Sequence, residues 1–66
     1  MILHINGEPC EMLAPQTLES VLIATGHGER RVAAEVNLQI IPRSQHHSYL
    51  LAEGDRIEII QAIGGG

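Results

Sequence analysis

The C-terminal segment carries the group with the most distinctive chemistry in this sequence. Residues 61–66 read "QAIGGG". Glycine has no Cβ, so these residues can pass a narrow channel and leave the Gly66 carbonyl unhindered on both faces. A carboxylate reacts with nucleophiles once its oxygen becomes a good leaving group, as in an acyl-adenylate made from ATP. We therefore predict that a partner enzyme activates Gly66, with Gly64 and Gly65 as a flexible arm; an incidental glycine-rich end is the alternative.

Other residues with chemical potential lack the companions that a site needs. Cys10 is the single cysteine, and without basic neighbours in sequence it is expected to be a buried structural thiol rather than a sulfur relay. His46 and His47 have no cysteine or acidic ligand set beside them, so we predict surface histidines and no metal site. Arg43 follows a proline and either contacts a partner or caps a turn. No catalytic residue is predicted.

Length and charge exclude several classes of protein. A chain of 66 residues forms one domain over residues 1–66, without room for both a core and an enclosed catalytic pocket, so a free-standing enzyme is not expected. The formal net charge is −4, with four arginines and no lysine, which disfavours nucleic acid and anionic membranes as partners. No signal peptide or membrane-spanning run is evident, so we expect a soluble, cytoplasmic protein.

The first twelve residues predict a β-hairpin. Asn6 and Gly7 form the strongest short-range turn signal, because both central residues of a type I′ turn need positive φ. Pairing across this turn sets Leu3 opposite Cys10. Pro9 cannot donate a backbone hydrogen bond, so the second strand is expected at an edge of the sheet.

A helix and two short strands follow the hairpin. Thr17 is a suitable N-cap for a helix that begins at Leu18 and stops near Gly26. The stretch "VAAEV" alternates between apolar and polar positions, which is typical of a strand. A turn at "NLQ" then leads to a short strand at residues 40–41, and we expect a single helical turn within "SQHHSYL".

The sequence "RIEIIQAI" predicts the last strand. Ile57 and Ile59 would face inward, whereas Ile60 and Ala62 would be exposed apolar residues on the opposite face. Exposed apolar patches often mark interfaces, so Ile60 and Ala62 are candidate partner-binding residues, together with Arg43.

The element order β-β-α-β-β-β indicates an α+β fold. A hairpin, one main helix and later strands require a mixed sheet of about five strands packed on that helix. Placing the first and last strands side by side and parallel gives the β-grasp, or ubiquitin-like, arrangement.

Three stretches of the chain, "INGEP", "VNLQIIPRS" and "LAEGDRIEIIQAIGGG", resemble the sulfur carrier proteins of thiamine biosynthesis (the ThiS family). They occur in order, with the expected spacing, over essentially the full length. The sequence departs from the family pattern after "PRS", where "QHH" replaces a frequent aromatic residue.

The resemblance implies a covalent carrier, not an enzyme. A ThiF-like adenylating enzyme would use ATP to convert the Gly66 carboxylate to an acyl-adenylate, and the carrier itself would bind no cofactor. Persulfide sulfur from a cysteine desulfurase would displace AMP and yield a thiocarboxylate at Gly66. A thiazole synthase (ThiG-like) would then take up that sulfur.

Three other functions remain open at this point. The small subunit of molybdopterin synthase resembles this chain in fold and tail, but such chains are typically longer and richer in aromatic residues. A ubiquitin-like modifier would attach Gly66 to lysines of target proteins. A β-grasp binding module would have no use for the glycine tail.

Overall fold

A mixed sheet and one helix make up the part of the chain that the computed structural model describes, residues 1–28 and 31–61. The elements are β1 (Ile2–Ile5), β2 (Glu8–Glu11), α1 (Leu18–Ala24), β3 (Val32–Val36), β4 (Gln39–Ile40), a 3₁₀ turn (Arg43–Gln45) and β5 (Arg56–Gln61). The sheet order is β2-β1-β5-β3-β4. β1 and β5 run parallel, and the other neighbours are antiparallel. The predicted α+β β-grasp arrangement is confirmed.

The first hairpin has the predicted turn and register. Asn6 and Gly7 have φ values of 51° and 85°, as a type I′ turn requires. Leu3 pairs with Cys10, and β2 is an edge strand, as Pro9 predicts. Cys10 is half-buried rather than fully buried, because only one neighbouring strand covers this edge.

Helix α1 is defined by local signals at both ends. The Thr17 hydroxyl accepts the Ser20 backbone N–H at 3.1 Å, and the Ser20 hydroxyl accepts the Thr17 N–H at 2.9 Å, which forms a reciprocal capping box. At the other end, Gly26 has a φ of 88° and its N–H donates to the Ile23 carbonyl at 3.0 Å. This left-handed cap ends the helix where the sequence predicts.

The hydrophobic core lies between α1 and one face of the sheet. Leu18, Val21 and Leu22 form the buried stripe of the helix. They pack with the inward residues of the strands and two loop residues, Leu3, Val32, Ala34, Val36, Ile41, Leu51, Ile57 and Ile59. The other face of the sheet has no helix over it within the described residues, so it remains available for contact.

The region after β3 differs in two respects from the sequence prediction. β4 covers Gln39–Ile40 instead of residues 40–41, although the Ile41 N–H still donates to the Ala34 carbonyl at 2.9 Å. The prediction of a surface position for His46 is wrong, since this side chain is only 6% exposed. The 3₁₀ turn begins directly after Pro42, earlier than predicted, and it directs His46 inward while His47 stays exposed.

Candidate functional site at the end of the last strand

β5 is the strand that leads toward the glycine tail, and it occupies the middle of the sheet. Ile57 and Ile59 project into the core, as predicted. On one side, β3 pairs with β5 over its length, from Val36 opposite Ile57 to Val32 opposite Gln61. The strand is therefore held firmly up to Gln61, its last described residue.

Asn6 extends the contact between β1 and β5 beyond the end of β1. Its backbone N–H donates to the Ile57 carbonyl at 2.8 Å. Its side-chain Oδ1 accepts the Ile59 N–H at 2.7 Å. Sequence reasoning identified Asn6 only as a turn residue, since nothing in the sequence links it to a strand 53 positions away.

The open face of the sheet carries an apolar spot beside two like charges. Ile60 is 50% exposed and lies opposite the exposed Ala33. In the next row, Glu58 lies opposite Glu35. Carboxylates directly opposite each other on a sheet repel. A partner surface with apolar and basic side chains would complement this face.

The candidate residues do not form one patch. Ile60 has the predicted exposure on the open face. Arg43 lies in the 3₁₀ turn, where its carbonyl accepts the His46 N–H at 3.1 Å, so it takes part in the turn. It lines a depression of ≈ 100 Å³ on the helix side, together with Glu19, His27, His46 and Val32. Because Val32 pairs with Gln61, this depression lies near the end of β5 but on the opposite face from Ile60.

The remaining predicted site residues lie outside the described residues: Ala62, Gly64, Gly65 and Gly66. Within residues 1–28 and 31–61, no group of three or more His, Cys, Asp or Glu side chains is placed to hold a metal ion. In the same part of the chain, no helix has the length and apolar character needed to cross a membrane.

Comparison with known proteins identifies the family. The model of the ThiS family matches residues 3–66. The chain belongs to the ThiS family. It is 30% identical over 66 residues to the sulfur carrier protein ThiS of Escherichia coli K12, with all of both chains covered. The crystal structure of the thiamine biosynthesis protein ThiS from Geobacter metallireducens has a TM-score of 0.85 and 25% identity, again over 100% of both chains.

Two longer relatives are also similar to this chain. The thiazole synthase of Paramagnetospirillum magneticum is 42% identical over 66 residues, and that of Magnetococcus marinus is 39% identical. The chain spans 20% of the length of each of these two proteins. A segment similar to the whole chain thus occurs within proteins that are named as thiazole synthases.

Proposed function

We propose that this protein is a sulfur carrier that delivers sulfur for thiazole formation in thiamine biosynthesis. The observation that carries this proposal is the likeness, over the whole of both chains, to a sulfur carrier protein of the same family. The central strand β5 supports it, because the core anchors this strand through Ile57 and Ile59 and the sequence then continues into the three glycines.

The reactive group in this proposal is the carboxylate of Gly66. A carboxylate oxygen attacks the α-phosphorus of ATP in a ThiF-like partner and forms an acyl-adenylate, with release of pyrophosphate. A persulfide sulfur then attacks the acyl carbon, and AMP leaves. A thiol cleaves the resulting S–S bond, which yields the Gly66 thiocarboxylate and a disulfide. The carrier supplies the acyl group, whereas the partner supplies ATP and the catalysis, so the carrier is not an enzyme.

Thiazole synthase is the proposed acceptor of the sulfur. The thiocarboxylate sulfur adds to an electrophilic carbonyl carbon of the thiazole precursor, whose C=O π bond breaks as its electrons move to oxygen. Water later attacks the Gly66 acyl carbon and cleaves its bond to sulfur, so the sulfur stays on the precursor and the Gly66 carboxylate is restored. The likeness of the chain to a segment of two thiazole synthases supports this pairing. A covalently held sulfur also avoids release of free sulfide.

The test is a measurement of intact mass. The chain ending at Gly66 is incubated with the adenylating enzyme of its host, ATP and a persulfide donor. We expect a mass gain equal to the exchange of one oxygen for sulfur. A matched chain without Gly65 and Gly66 should fold and show no gain. No gain in the full chain with an active enzyme, or higher-mass conjugates to other proteins, would contradict the proposal.

A further inference from the structure

The edge of β5 that faces β1 is paired over only part of its length. β1 pairs with β5 as far as Ile5 opposite Ile57, and the chain then turns away at Asn6 and Gly7. Beyond this pair, the Asn6 side chain makes one more contact with β5, because its Oδ1 accepts the Ile59 N–H. Among the described residues, no strand lies beside Gln61 on this side, although Val32 pairs with Gln61 on the other.

The direction of the backbone groups follows from the hydrogen bonds nearby. The Ile57 carbonyl and the Ile59 N–H both point toward β1, because both bond to Asn6. The Arg56 carbonyl points toward β3, where it accepts the Asn37 N–H at 2.8 Å. Backbone groups alternate in direction along a strand. The N–H and carbonyl of Gln61 therefore point to the side of β1, where no strand within residues 1–28 and 31–61 lies beside them.

We infer that this edge, residues 59–61, binds an extended segment of the adenylating partner, which adds to the sheet as a strand where β1 has ended. The inference rests on the proposed function. A strand edge with unbonded backbone N–H and C=O groups binds another extended segment, because the two main chains can hydrogen-bond to each other as neighbouring strands do. Asn6 sets the start of the added strand, because its Oδ1 already occupies the Ile59 N–H.

The position of the edge explains why the adenylating enzyme is the occupant. Gly66 follows Gln61 by five residues, so residues 62–66, if fully extended, reach at most about 18 Å beyond Gln61. A protein that gathers the Gly66 carboxylate into its nucleotide site must therefore come close to Gln61. A second copy of the chain is a poorer occupant, since both copies carry a net charge of −4 and repel each other.

Amide hydrogen exchange tests the inference directly. The ¹⁵N-labelled chain is compared alone and in complex with its adenylating enzyme, without ATP. We expect the exchange of the Gln61 amide to slow at least tenfold in the complex. If the chain is activated normally but the Gln61 amide exchanges equally fast in both states, the inference fails and the proposed function stands. If the chain is not activated at all, the proposed function fails and the inference falls with it.

Two proline variants provide a matched comparison. Gln61→Pro removes the outward N–H of β5. Glu11→Pro removes an outward N–H from the other exposed edge, because Met12 bonds to Met1 and Glu11, one residue earlier, points away. We expect at least tenfold weaker binding to the enzyme for Gln61→Pro and unchanged binding for Glu11→Pro. If both variants fold and bind the enzyme equally well, the inference is overturned. It is also overturned if the Gln61 amide is already protected in the chain alone because two copies of the chain associate through this edge.

Discussion

The ring Nε2 of His46 lies 2.9 Å from the carbonyl oxygen of Ile41. A carbonyl only accepts, so Nε2 carries the hydrogen of this bond. The backbone carbonyl of His46 accepts the Glu19 N–H at 3.0 Å, so the same residue joins the end of β4 to the first turn of α1. Through these two hydrogen bonds, His46 connects Ile41, the residue directly after β4, to helix α1.

Removal of this ring should weaken the fold. His46→Ala leaves the Ile41 carbonyl without its partner and is expected to lower the free energy of unfolding by about 2 kcal/mol. The adjacent His47 is exposed, so His47→Ala should change it by less than about 0.5 kcal/mol. Urea denaturation followed by circular dichroism measures both. Equal stabilities of the two variants would contradict the structural role of His46.

The hydrogen bond from the Ile59 N–H to the Asn6 side chain should stabilise the end of the parallel pairing between β1 and β5. Asn6→Gly tolerates the positive φ of 51° but removes Oδ1, so we expect a loss of about 1 kcal/mol and faster exchange of the Ile59 amide. Asn6→Asp keeps a side-chain oxygen that can accept the Ile59 N–H, and aspartate tolerates a positive φ. This variant should therefore keep the Ile59 amide protected from exchange. Hydrogen exchange followed by NMR distinguishes them, and identical rates at Ile59 would refute the prediction.

The second hairpin turn holds a strained residue. Leu38 is 88% exposed and has a φ of 71°, a region that costs an L-residue roughly 1–2 kcal/mol. Leu38→Gly should therefore raise the free energy of unfolding by about 1 kcal/mol. Asn37→Gly should lower it, because the Asn37 side chain bonds to Asp55 and to the Arg56 N–H, each at 3.0 Å. Thermal unfolding of both variants shows whether the two shifts have opposite signs.

Ile60 should matter for activation and not for stability. This side chain is 50% exposed on the open face, so Ile60→Asp should fold normally but slow adenylation at least about tenfold, since a charge would be buried against the partner. Leu13 is 87% exposed, in the loop between β2 and α1, and Leu13→Asp is the control. Pyrophosphate release measures the rate. Normal activation of folded Ile60→Asp would exclude this contact.

The elements that the sequence predicts well are those with local causes. Asn6 and Gly7 determine their turn through the sign of φ, and Thr17 and Gly26 mark the helix through bonds to residues within one turn. The alternation around Ile57 and Ile59 gives the inward face, because a strand has a strict period of two. The family resemblance is confirmed by the match over residues 3–66.

The features that the sequence does not reveal depend on distant partners. The burial of His46 requires the 3₁₀ turn to bring its ring to Ile41 and its carbonyl to Glu19, 27 positions earlier in the chain. The second role of Asn6 requires β5 beside it. The roles of Gly66, Gly65, Gly64 and Ala62 stay predictions, since these residues lie outside the described part of the chain.

The central place of β5 also has a mechanical consequence. β5 is bonded to β1 on one side and to β3 on the other. A pull on the arm therefore loads two ladders at once along their length, in shear. A strand at the edge would instead detach from a single neighbour. The adenylating partner that we propose would therefore draw the arm into its site without deforming the domain.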